Sequence, residues 1–271
     1  MNAKAVVLAS AATLALALAL SQAGCNRSGP FPAQKAQASA DAPDPGYRAP
    51  PQISGAAKGA DGAVTLSGRA LPSSQIQIQM VSPAGPGIET RADGSGAWMA
   101  LLGPVSEPAL YRVAEEAGGQ RVDAEGLLAI LPGAPTAAVL RAGAGAQVAP
   151  GAEKAALKIQ AVDYDMAGGA VVSGSAGAAG PVRVLVDGQV AAEGAAGADG
   201  RFSLTLPKAL PPGRHRLEAM TANGAVEADV AVTPPAPPRN APYQAQAEPF
   251  GWRVDWITPG GGAQTTLLLG G

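Results

Sequence analysis

Past the first two dozen residues, apolar side chains recur mainly at every second position. Ile76, Ile78 and Met80 alternate with Gln75, Gln77 and Gln79, and Val182, Val184 and Val186 alternate with Pro181, Arg183 and Leu185. That period of two turns one row of side chains inward along a strand, and helical periodicity is weak throughout. Asp93-Gly94, Asp187-Gly188, Asp199-Gly200 and Asn223-Gly224 supply the positive backbone angles of tight turns between such segments. Short strands punctuated every ~8–12 residues predict a β-sandwich architecture.

The pattern occurs twice. Val64 to Ala70 superposes on Ala170 to Ala176 at an offset of 106, and Gln75 to Met80 falls on Pro181 to Val186 at the same offset. From there the offset is 104: Gly96-Ala97-Trp98 matches Gly200-Arg201-Phe202, Tyr111-Arg112-Val113 matches His215-Arg216-Leu217, and Val122-Asp123-Ala124 matches Val226-Glu227-Ala228. Six blocks in one order with a single two-residue gap indicate an internal repeat.

The boundaries predicted from this pattern are a first sandwich over 53–132, a linker with extended strands over 133–163, and a second sandwich over 164–234. A Pro-rich linker follows over 235–249, then an aromatic β-hairpin over 250–271. The elements Ser-Gly, Asp199-Gly200-Arg201-Phe202 and Leu210-Pro-Pro-Gly-Arg-His215 resemble the immunoglobulin-like repeats of bacterial cell-envelope proteins, with Tyr111 of the first copy standing where the second has His215. The resemblance implies an all-β chain of two tandem immunoglobulin-like β-sandwiches, with an N-terminal signal and tether and a C-terminal β-hairpin. It marks a fold and no chemistry.

Residues 1–24 read as an export signal: Lys4, an apolar run from Ala5 to Leu20, then small and polar residues before Cys25. The run is shorter than the ~20 residues a membrane-spanning helix needs. Gln22-Ala23-Gly24-Cys25 resembles the bacterial lipobox, with Gln22 where Leu is usual. That resemblance implies lipidation of Cys25, membrane attachment through N-terminal acyl chains and, because Asn26 rather than Asp follows, a periplasm-facing place on the outer membrane. Ser21-Gln22-Ala23 is alternatively a cleavage site that releases a soluble periplasmic or secreted protein. Residues 25–52 are rich in Pro, Ala, Ser and Gln without apolar periodicity, the composition of a disordered tether.

Composition narrows the function. With 19 Lys and Arg against 21 Asp and Glu, nothing in the chain can neutralise a row of phosphates, so a nucleic-acid partner is not expected. One Cys and one His cannot build a Cys/His zinc site, and no motif calls for a cofactor. His215 is the only imidazole base, but no nucleophile motif accompanies it. Asp163 and Asp165 are weak calcium candidates, since calcium asks for about six to eight oxygens and few others are at hand.

Phe250, Trp252 and Trp256 form the densest aromatic cluster and are the candidate binding residues. Trp252 and Trp256 share one face of a strand and suit either a sugar ring, including peptidoglycan, or the plugging of a core poor in aromatics. The expected function is a noncatalytic structural or protein-interaction module of the envelope, with an envelope protein or peptidoglycan as partner. A glycan-binding module using the Trp252/Trp256 face is the alternative, and an envelope enzyme ranks last.

Overall fold

A computed structural model of the chain describes residues 48–150, 156–239 and 241–270. The segment expected to be an export signal, Cys25 and all but the end of the expected tether lie outside the described residues. Every regular element described is a strand. The first copy comprises β1 (Gln52–Lys58), β2 (Ala63–Arg69), β3 (Gln75–Ser82), β4 (Ala84–Arg91), β5 (Ala97–Pro104), β6 (Ala109–Ala117) and β7 (Gln120–Asp123). There follow β8 (Leu127–Ile130), β9 (Ala137–Leu140) and β10 (Gln147–Val148). The second copy comprises β11 (Leu157–Asp165), β12 (Ala170–Ala176), β13 (Gly180–Val186), β14 (Gln189–Ala196), β15 (Arg201–Leu206), β16 (Gly213–Thr221) and β17 (Gly224–Val232). Last come β18 (Tyr243–Glu248), β19 (Gly251–Ile257) and β20 (Ala263–Leu269).

Each copy is an immunoglobulin-like sandwich, and the repeat holds down to irregularities. The β1–β2 ladder shifts register between Ile53 and Gly55, and the β11–β12 ladder shifts between Ile159 and Ala161, 106 residues on. Gly68 packs so tightly under Trp98 that a Cβ would stand 2.2 Å from the indole ring and 2.1 Å from the Gln52 carbonyl. Its counterpart Gly174 would place one 2.7 Å from the Phe202 ring and 2.1 Å from the Lys158 carbonyl. The Ser-Gly of both copies is thus dictated by the aromatic ring of the neighbouring strand. Gly96 and Gly200 both turn at positive φ (82° and 73°) and accept the amides of Ala70 and Ala176.

Four antiparallel sheets stack face to face. Sheet I has the order β1-β2-β5, and sheet II β10-β9-β8-β6-β3-β4 with β7 also on β6. Sheet III has the order β15-β12-β11-β20-β19-β18 and sheet IV β14-β13-β16-β17. Three cores separate them. Trp98, Leu66 and Leu102 of sheet I meet Ile76, Ile78, Leu128 and Ile130 of sheet II. Val162, Phe202 and Leu267 of sheet III meet Val182, Val184 and Leu217 of sheet IV. Between sheets II and III lies a middle core of Leu110, Ala129, Leu131, Ala138 and Leu140 against Ala161, Val254, Trp256 and Leu268.

Sheets II and III are consequently buried on both faces where they overlap, and their strands there are apolar without alternation: Leu127 to Leu131, Ala137 to Leu140 and Leu267 to Leu269. The structure therefore moves three of the boundaries expected from sequence. The second sandwich begins at β11, at Leu157, and not at 164. The segment 133–163 supplies strands to sheets II and III. The third strand of the C-terminal group, β18, lies inside 235–249, so the hairpin over 250–271 is part of a three-stranded addition that completes sheet III against β11.

Candidate functional site

The titratable side chains singled out in the sequence are each consumed by the fold. His215, on β16, hydrogen-bonds through Nδ1 to Asp187 Oδ2 at 2.7 Å and through Nε2 to the Pro211 carbonyl at 2.8 Å. Both partners are acceptors, so the doubly protonated ring satisfies both. Burial works to lower the histidine's pKa, but the bonds to Asp187 and Pro211 and the aspartate's charge together raise it above its ordinary value. Asp187 Oδ1 also takes the Arg216 amide, so the pair ties the Asp187-Gly188 turn to β16. The counterpart Tyr111 is buried in the first sandwich.

Asp163, on β11, is almost fully buried on the face turned to sheet II. It accepts the Ala146 amide at 2.7 Å, the Gln264 side-chain amide at 3.0 Å and the Thr266 hydroxyl at 2.6 Å. Burial raises its pKa against the pull of those three bonds. Asp165, at the end of the strand, accepts the Gly169 amide at 2.9 Å, closing the β11–β12 turn. The two carboxylates are not brought together on one site, and among the described residues no group of three or more His, Cys, Asp or Glu is placed to hold a metal ion.

Trp256 is 1% exposed in the middle core, where its Nε1 donates to Thr266 at 3.2 Å. Trp252 packs half-buried against the same core, and Phe250 against the core of sheets III and IV. The pair therefore presents no two-ring platform to a sugar, because one of the two rings is sealed between sheets. On the opposite face of β19 the buried Arg253 and Asp255 form a two-pronged ion pair, both prongs 2.8 Å, which sequence reasoning missed. Arg253 also donates to Tyr164, Thr233 and the Pro234 carbonyl, fastening the exit from β17 to sheet III. An Arg and an Asp two residues apart inside an apolar strand is the signal that could have found it.

The surface feature that remains unused is on sheet I. The middle of its outward face consists of the uncharged rows Gly55–Ser67–Met99 and Ala57–Thr65–Leu101, with Arg69 on the next row of the same face. Met99 and Leu101 are each 65% exposed, and β5 is an edge strand of the sheet. This edge is engaged by β4, since Thr90 Oγ1 donates to the Met99 carbonyl at 2.7 Å. In the second copy the positions matching Met99 and Leu101 are Ser203 and Thr205, both exposed, and Ser203 donates to the Ala144 carbonyl of the loop before β10 at 2.6 Å. The contrast was open to the repeat alignment: the first copy carries large apolar side chains where the second carries small polar ones.

The chain matches no family model and no curated protein. Among solved structures it is similar to the central fibronectin-III array of RIM-binding protein, at 14% identity over 82% of this chain and 90% of that one, with a TM-score of 0.27. It is similar also to the BSP domain of a biofilm-associated protein, at 14% identity over 69% of this chain and 30% of that one (TM-score 0.25). A third likeness is to invasin, a bacterial integrin-binding protein, at 13% identity over 82% of this chain and 54% of that one (TM-score 0.21).

Proposed function

We propose that the chain is a noncatalytic module of a bacterial envelope, held to the outer membrane through acyl chains on Cys25, which binds a protein partner at the outer face of sheet I. The observation that carries this reading is the pair Met99 and Leu101, two large apolar side chains exposed on an edge strand whose counterparts in the second copy are serine and threonine. Large apolar side chains exposed together on a sheet face suit the docking of a protein partner. The consumption of His215, Asp163 and the Arg253–Asp255 pair by structural bonds favours a noncatalytic role over an enzyme.

The test is a photo-crosslinking amino acid placed at Thr65 in cells making the native chain, compared with the Met99→Ser/Leu101→Thr variant, which installs the second copy's own residues. A discrete crosslinked adduct should form with the native face and disappear with the variant, while the thermal midpoint of the purified protein stays within a few degrees. An adduct unchanged by the double substitution overturns the reading. Attachment is tested separately: Cys25→Ser should move the protein from the membrane to the soluble fraction.

A further inference from the structure

A small cavity of about 150 Å³ opens where the second copy meets the segment between the copies. Arg141, just after β9, and Arg201, at the start of β15, both line it, together with Gln147, Gln160, Asp199 and Ser203. The two guanidinium groups are held by neutral carbonyls. Arg141 donates to Gly145 and Ala144 at 3.0 and 3.1 Å, and Arg201 to Val148 at 3.1 Å. Their carboxylate neighbours are loose: Glu125 stands 4.0 Å from Arg141 and Asp199 3.8 Å from Arg201, with the acidic side chains 70% and 64% exposed. The arginine side chains are only 18% and 24% exposed.

Two largely buried cations thus share one cavity, with the exposed Glu125 and Asp199 as loose neighbours and the buried Asp163 near enough to Arg141 to feel its charge. Burial lowers the Arg201 pKa, Asp199 opposes this, and the charge of Arg141 lowers it further, so the two groups feel each other's repulsion. Among the described residues Arg201 Nη2 makes no hydrogen bond, and Arg141 Nη1 has only the distant contact to Glu125. Ser203 and Ser173 donate their hydroxyl protons to the Ala144 and Ala146 carbonyls. Gln147 and Gln160 add amides of either polarity.

We propose that this junction cavity binds a small carboxylate-bearing solute, whose carboxylate bridges the guanidinium groups of Arg141 and Arg201. A planar carboxylate matches the fork of an arginine in plane and spacing, and an anion placed between two like charges removes their repulsion as well as satisfying the unused N–H groups. The site belongs to the junction and not to the repeat itself, because Arg201 matches Ala97 of the first copy. It is separate from the sheet I face, so either proposal stands if the other fails.

The experiment is an amide NMR titration of the folded protein with sodium acetate and sodium glucuronate, with sodium chloride and sodium phosphate as matched-ionic-strength arms. The carboxylates should give saturable shifts at Gln147, Gln160 and Ser203, with chloride giving none. Arg201→Ala, which installs the first copy's residue, should weaken binding by roughly tenfold or more through loss of a charge-assisted fork. Should that variant fail to fold, Arg201→Lys keeps the charge without the fork and should weaken carboxylate binding severalfold. Shifts that rise linearly without saturating, equal shifts with chloride, or full affinity in the arginine variant overturn the proposal. Tighter binding of phosphate than of either carboxylate overturns the carboxylate assignment.

Discussion

The two copies share a fold but offer opposite sheets to each other. The first meets its neighbour with the sheet built on β3 and β6, the second with the sheet built on β11 and β12. A difference in one hairpin accounts for the first half of this. In the second copy β16 and β17 pair along nine residues each, from Gly213↔Val232 to Thr221↔Gly224, leaving no free edge on β16. In the first copy β7 covers only Ala114 to Ala117 of β6, so Ala109 to Tyr111 remain to pair with β8. A shortened hairpin thereby converts an outer sheet into an inner one, and the apolar strands β8 and β9 follow from that conversion.

The comparison is most sharply broken at the tryptophans. Trp98 lies in the core of the first copy alone, whereas Trp256 lies in the middle core that both copies line. Each change to Ala should cost about 3–5 kcal/mol, measured by denaturant unfolding. Trp98→Ala should raise hydrogen exchange in β2 and β5 only. Trp256→Ala should raise it in β8, β9, β19 and β20 together, and exchange confined to the C-terminal strands would show that the copies are not fused.

Asp163 gives the next effect. Its Asn variant keeps the size but turns an N–H toward a donor among Ala146, Gln264 and Thr266, and should lose about 1–3 kcal/mol. The native carboxyl has a folded pKa above its unfolded value, so between the two the folded chain holds a proton that the unfolded chain has shed. Stability should accordingly fall as pH rises through that window, and Asp163→Asn should flatten this slope. An identical slope in the variant would assign it to another group.

The smallest effect separates the copies by pH. His215 has a raised pKa in the folded chain, so the bond to Asp187 contributes fully below the unfolded histidine value and is lost as pH rises through the folded one. The Arg216 amide, held by Asp187, should exchange faster above that pH. The Val113 region, where Tyr111 occupies the matching position, should show no such step. Asp187→Asn should abolish the step, and its persistence would show that the pair does not set it.

Much of the layout was legible in the sequence because strand period, Asp-Gly turns and the repeat offset are local or self-similar signals. The Ser-Gly opposite Trp98 or Phe202 and the Gly96 and Gly200 turns carried the sandwich reading. What could not be read was partnership across distance. Leu127 to Leu131 announces burial on both faces without saying against what, and the pairing of Ala161 with Leu268 spans more than a hundred residues. Trp252 and Trp256 share a face, as their spacing required, but only packing decides that one ring is sealed and the other half-open. Asp163 stood out only as a weak calcium candidate, because its three donors arrive from one remote strand, β20, and a loop.

The position of β20 bears on how the protein is made. It is synthesised after every other described strand, yet it sits centrally in its sheet, with β11 on one side and β19 on the other. The first sandwich has all of β1 to β9 available early and can close its own core during synthesis. The second cannot: Leu267 and Leu269 are part of its core, and β11 keeps an unpaired edge until the end of the chain arrives. Long-range closure of this kind is slow and leaves the half-built sheet open to wrong partners meanwhile. The order of synthesis thus sets an order of closure, in which the second core waits for β20 while the first does not.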